Sequence, residues 1–131
     1  MRFKQLLLTA AFFALMLTGC SADEASQPIT YEQITAEAAK RLMDEHPEAV
    51  ILDVREQDEF DAGHIPGASL LPVGSVSEET AASVIPKKDT LVLVYCRSGR
   101  RSKLAAEALT QLGYSNVKEF GGIIDWPYET E

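Results

Sequence analysis

Leu91-Val92-Leu93-Val94-Tyr95 is an unbroken apolar run that ends on a cysteine. A strand with one wet face alternates apolar and polar residues. A continuous run instead suits a strand buried on both faces. Ala49-Val50-Ile51-Leu52-Asp53-Val54 repeats the pattern. Helical patterns separate these runs. Thr35 is placed to cap a helix over 36–45, which His46-Pro47 stops because the residue before proline avoids the helical region. A short helix over 56–61 is closed by Gly63, and Ser77 caps another that runs to Val84 and stops at Pro86. A helix from about Ser102 to Leu112 follows the main strand, with Leu104, Ala105, Ala108, Leu109 and Leu112 on its apolar face. Short strands are expected over 29–33, 69–71 and 117–120, with a turn at Ile65-Pro66-Gly67. Strands separated by helices give an α/β domain with a mainly parallel central sheet and helices on both faces.

The first nineteen residues do not fit this domain. Arg2 and Lys4 precede a 12-residue apolar run, Leu6 to Leu17, which as a helix is about 18 Å long against a bilayer core of about 30 Å. A basic start, a short apolar middle and small residues after it read as an export signal. The segment ends Leu17-Thr18-Gly19-Cys20 and resembles the lipobox of bacterial lipoproteins. That resemblance implies cleavage before Cys20, lipidation of Cys20, and an extracytoplasmic protein anchored to a bacterial membrane. Residues 20–29 then form the lipidated N-terminus and a small polar tether, and 30–131 the domain. Without residues 1–19 the net charge moves from −8 to about −10, because the signal holds two basic residues and no acidic one. So acidic a chain lacks the basic face that nucleic-acid binding needs. Its two cysteines and two histidines are too scattered for a structural zinc site, so no metal is expected.

Cys96 sits where the main strand ends and a helix is about to begin, the edge at which open parallel sheets bind ligands. The connection is Cys96-Arg97-Ser98-Gly99-Arg100-Arg101-Ser102. A short loop there turns successive backbone N–H groups toward one point, and Gly99 lets it curl. Amides and helix N-terminus both favour an anion, and both favour thiolate over thiol. Arg97, Arg100, Arg101 and Lys103 gather four basic residues within seven positions of an acidic protein. Asp53 and Arg55, at the end of the neighbouring strand, are expected near the same edge. They either shape the pocket by pairing with loop charges or form a structural ion pair. Trp126, His64 and His46 are assigned packing, structural and surface roles, and Glu56, Asp58, Glu59 and Asp61 a solvated helix face.

Three ordered motifs complete the pattern. They are Leu52-Asp53-Val54-Arg55-Glu56 continuing to Gly63-His64-Ile65-Pro66-Gly67-Ala68, then Val94-Tyr95-Cys96-Arg97-Ser98-Gly99-Arg100-Arg101-Ser102, then Gly121-Gly122-Ile123 with Trp126. Together they resemble the single-domain rhodaneses, a sulfurtransferase family, over about residues 30–127. The resemblance implies a single rhodanese-like domain in which Cys96 takes a sulfane sulfur and holds it as a persulfide, with no other cofactor. It implies that the amides of 97–101, with Arg97, Ser98, Gly99, Arg100 and Arg101, hold a small anionic donor such as thiosulfate. Arg101 matches the family's arginine at the loop end. The six-residue Cys-x4-Arg loop is one residue shorter than that of the related phosphatases and arsenate reductases, and a smaller ring of amides suits sulfur better than phosphate. A thiol, including a protein thiol, or cyanide is the expected acceptor, and a monomer the expected state. Three classes stand side by side: a catalytic sulfurtransferase, a persulfide carrier or redox partner with little thiosulfate activity, and a non-catalytic extracytoplasmic binding module.

Overall fold

The computed structural model describes residues 30–131. The export signal, Cys20 and the tether over 20–29 lie outside the described residues.

Thr35 does cap the first helix. Its hydroxyl accepts the Ala38 N–H at 3.0 Å, and α1 (Ala36–Glu45) follows the short strand β1 (Glu32–Gln33). The chain then forms β2 (Val50–Asp53), α2 (Gln57–Ala62) and β3 (Ser69–Leu70). A single 3₁₀ turn at Val73–Ser75 leads to α3 (Glu78–Val84), which Ser77 caps through the Thr80 N–H. The long run becomes β4 (Val92–Cys96), which leads into α4 (Arg100–Gln111) and β5 (Val117–Gly122). All five strands are parallel, in the order β1-β5-β4-β2-β3.

Every residue of β4 is buried, as its unbroken apolar run requires. Leu52, Val92, Val94 and Cys96 turn to one face, where Ala81 and Ile85 meet them from α3 and its end, and Ala105, Ala106 and Leu109 from α4. Leu93, Tyr95 and Phe120 turn to the other, against Ala39 of α1, Ile65 and Trp126. Helices therefore cover both faces, and the carboxyl end of β4 opens at the edge between them.

Two expectations for α4 need correction. The helix starts at Arg100, not near Ser102, because Gly99 adopts φ +106° and turns the chain directly into the helix. Its buried stripe is Ser102, Ala105, Ala106, Leu109 and Thr110, while Leu104 is 52% exposed. Small side chains let the helix lie close to the sheet, so the alanines and Ser102 take the inner face and the bulkier leucine is turned out.

Candidate active site

The first turn of α4 begins with two arginines. Cations at a helix N-terminus oppose the helix dipole, so their concentration here is a local cost that an anion offsets. What the loop encloses is sulfur. The Gly99 N–H donates to Cys96 Sγ at 3.0 Å, and the Ser102 hydroxyl lies 3.3 Å away. Burial pushes the thiol up, but the amides of Ser102, Gly99 and Ser98, with the Ser102 hydroxyl when it turns its proton to the sulfur, outweigh it, and the Cys96 pKa falls below its ordinary value. The sequence expectation of an activated thiol at the end of β4 thus has a geometric basis. Cys96 is itself buried, while Arg97, Ser98 and Arg100 are exposed on the outer rim of the loop and Gly99 is buried at its base.

The end of β5 seats this loop. Cys96 pairs with Gly122 across a break in the β4–β5 register, and the Ile124 N–H donates to the Arg97 carbonyl at 3.3 Å. A β-carbon on Gly122 would lie 1.9 Å from the Arg97 carbonyl oxygen and 2.5 Å from the Ser98 nitrogen, inside any allowed contact. Gly122→Ala is therefore expected to displace the loop. The expected loss is about 1–3 kcal/mol of stability, from overpacking, and about 100-fold in the reactivity of Cys96 from misplaced donors. Denaturant unfolding and turnover at a temperature where the variant is folded check the two effects. A variant with wild-type turnover would show that the loop does not depend on this contact.

Arg101, expected to bind the donor anion, is engaged elsewhere. Its two terminal nitrogens donate to the two carboxylate oxygens of Glu59 on α2, at 2.6 and 2.9 Å. Its charge still acts on Cys96, but the fork that would grip an anion holds a carboxylate. Arg97 and Arg100 are left as the cations on the rim. The solvated-face reading of the acidic helix likewise fails at Glu59, which also closes the N-terminus of α2 by accepting the Glu56 N–H.

The Arg101 hydrogen bonds hold the Glu59 carboxyl down to about 2, against an ordinary 4.5. A depressed carboxylate stabilises the fold fully above its unfolded value and loses that contribution as pH falls toward its folded value. Glu59→Gln should cost about 1 kcal/mol or less at neutral pH, and its deficit against wild type should shrink as pH drops from about 4.5 toward 2. Urea unfolding at several pH values measures this; a deficit that stays constant across that window removes the linkage.

Asp53 and Arg55 do not reach the loop charges. They pair with each other, both buried: the Arg55 Nη2 donates to Asp53 Oδ2 at 2.7 Å and the Arg55 Nε to Oδ1 at 3.0 Å. Arg55 also donates to the Gly63 carbonyl at 2.7 Å. The Tyr95 hydroxyl donates to Asp53 at 2.6 Å and accepts the Ile65 N–H at 3.0 Å. Burial and then the Asp53 carboxylate push the Tyr95 hydroxyl far above its ordinary value, so it remains a donor. This is the structural ion pair among the two readings, and it ties the start of the α2–β3 connection to the residue before Cys96. His64 stacks on Phe60 with ring centroids 3.8 Å apart, and Trp126 packs on Phe120, both in the structural roles expected.

Two side chains at the site were not assigned a role from sequence. Ser102 is fully buried behind Cys96, and Glu119 of β5 is only 3% exposed. The Ser102 hydroxyl donates to Glu119 Oε1 at 2.7 Å, and the Gly121 N–H donates to the same oxygen at 2.8 Å. The alternation of β5 carries the signal: Glu119 shares the inward face of Val117, a carboxylate where an apolar residue is the norm. Among the described residues no group of three or more His, Cys, Asp or Glu side chains is gathered that could hold a metal ion.

Comparison with known proteins places this geometry. Residues 35–127 match the Rhodanese-like domain family. The chain is 37% identical over 100 residues to the putative sulfur carrier protein YrkF of Bacillus subtilis, covering 76% of this chain and 52% of that protein. It is 40% identical over 74 residues to the thiosulfate sulfurtransferase PspE of Escherichia coli, covering 56% of this chain and 70% of the relative. The chain thus spans about half the length of the Bacillus relative. A solved rhodanese with anions from E. coli superposes with a TM-score of 0.59 at 34% identity, covering 63% of this chain and 96% of that one. With the motifs in order, the loop formed around Cys96 and the match running through both, the chain belongs to the rhodanese-like domain family.

Proposed function

We propose that this protein is a sulfurtransferase. The Cys96 thiolate attacks the outer sulfur of an anionic donor such as thiosulfate. A new S–S bond forms at Cys96 as the donor's S–S bond breaks, and sulfite leaves with the electron pair. An acceptor thiol or cyanide then attacks the outer persulfide sulfur and releases the Cys96 thiolate. No oxidant is consumed, and the covalent intermediate implies ping-pong kinetics. The observation that carries this reading is the Cys96 sulfur held beneath converging amides, with the Gly99 N–H at 3.0 Å. Such donors stabilise negative charge on the sulfur without reorganising. Arg97 and Arg100, exposed beside it, supply the attraction for the donor.

The lipid on Cys20, extracytoplasmic anchoring, and a monomeric domain that takes no nucleic acid belong to the same proposal. Their support is the Leu17-Thr18-Gly19-Cys20 sequence and the acidic balance of 20 Asp and Glu against 12 Lys and Arg. Mass spectrometry of the peptide carrying Cys96, after exposure to thiosulfate, tests the central step. A gain of one sulfur atom, with thiocyanate produced on adding cyanide, is the expected result. Sulfur gained only from a persulfide donor, with no thiocyanate, would instead favour the carrier role that the name of the Bacillus relative suggests.

A further inference from the structure

A hydroxyl group has one proton to give. Ser102 stands among Cys96 Sγ at 3.3 Å, the Gly99 carbonyl at 3.0 Å and Glu119 Oε1 at 2.7 Å, and can donate to only one of them at a time. The shortest contact is to the carboxylate, as a charge-assisted bond should be. With its proton on Glu119, Ser102 offers sulfur a lone pair, which suits the S–H form. To stabilise thiolate the hydroxyl must turn away from Glu119 and leave that buried oxygen with the Gly121 N–H alone of these two donors. We propose that Glu119 is a positioning residue for Cys96: it competes with the thiolate for the Ser102 proton and so sets how readily Cys96 ionises. This rests on Cys96 being the sulfur-accepting nucleophile.

The surrounding charges do not perform this task. On α4 and its loop, Arg97, Arg100 and Lys103 are exposed, and Arg101 is held by Glu59 of α2. Glu32 of β1 pairs with Lys118 of β5, and Tyr31 borders the same apolar core. Asp53, Arg55 and Tyr95 are closed among themselves. Glu119 alone among these carboxylates hydrogen-bonds to a group that touches the sulfur. A carboxylate there restrains an otherwise strongly activated thiol by engaging the hydroxyl that would stabilise its anion.

The test reads the thiol directly and needs no sulfur donor, so it stands apart from the outcome for sulfur transfer. Full-length protein is alkylated with iodoacetamide across a pH series. The reaction is followed by mass on the peptide 89–97, which carries Cys96 and excludes Cys20. Glu119→Gln keeps the size of the side chain and an acceptor oxygen for Ser102 and Gly121, and a thermal melt confirms folding. The alkylation midpoint should fall by about one pH unit, giving about tenfold faster reaction below both midpoints. Adding Ser102→Ala to Glu119→Gln should move the midpoint back up, since the route is the hydroxyl, which a neutral amide holds less strongly than a carboxylate. An unchanged or raised midpoint in Glu119→Gln overturns the proposal. So does a double variant that matches Glu119→Gln, because the carboxylate would then act through space and not through Ser102.

Discussion

Cys96→Ser is expected to reduce thiocyanate formation from thiosulfate and cyanide to background while leaving the fold intact. The loop is made by backbone donors and by the Gly122 contact, none of which needs sulfur. Serine still offers the Gly99 N–H an acceptor. What it lacks is ready ionisation: a hydroxyl is far harder to ionise than a thiol whose pKa the Ser102, Gly99 and Ser98 contacts bring below its ordinary value. Even an ionised oxygen would form a labile O–S bond in place of a persulfide. The readouts are turnover, the sulfur gained on the 89–97 peptide, and a thermal melt close to wild type. Turnover that persists in this variant would sink the nucleophile assignment, and with it the proposed reaction.

Asp53→Ala is expected to have the largest effect on stability. Its carboxylate receives two kinds of donor inside the core, the Arg55 guanidinium and the Tyr95 hydroxyl, and also the Arg55 backbone N–H at 3.0 Å. Removing it leaves a guanidinium charge buried with the Gly63 carbonyl as its remaining partner among these contacts. Breaking one side of a buried pair costs about 3–5 kcal/mol, a large share of the stability of a domain this size. Replacing both partners, as in Asp53→Ala with Arg55→Ala, should cost less than the sum of the two single changes, since no charge is stranded. Urea unfolding supplies all four corners of that cycle. A loss below about 1 kcal/mol for Asp53→Ala would mean that water reaches and solvates Arg55.

The strands and caps were legible because each is written in a local pattern. Unbroken apolar runs gave β2 and β4, and Thr35 and Ser77 announced the starts of α1 and α3. Cys96 and Gly99 were legible for the same reason, since strand, loop and helix are contiguous there. The site's remaining parts depend on segments far apart in sequence. Glu59 looks like one acid among four on a short helix until the fold brings Arg101 against it across 42 positions. Glu119 sits 17 positions beyond Ser102, and only the packing of α4 on β5 brings the two together. Leu104 was misread because hydropathy ranks it above alanine, whereas close helix–sheet contact favours the smaller side chains.

The contact between Gly122 and the Arg97 carbonyl also has a bearing on when the protein becomes reactive. β5 is the last strand in chain order, and it supplies both the backbone that seats the loop and the carboxylate behind Ser102. A nascent chain that has not yet docked β5 carries Cys96 as an ordinary cysteine, without the seated amides that lower its pKa. Chains emerge and fold from the N-terminus onward. The chemistry proposed for Cys96 therefore becomes available only when the sheet is complete, after the hazards of synthesis are past.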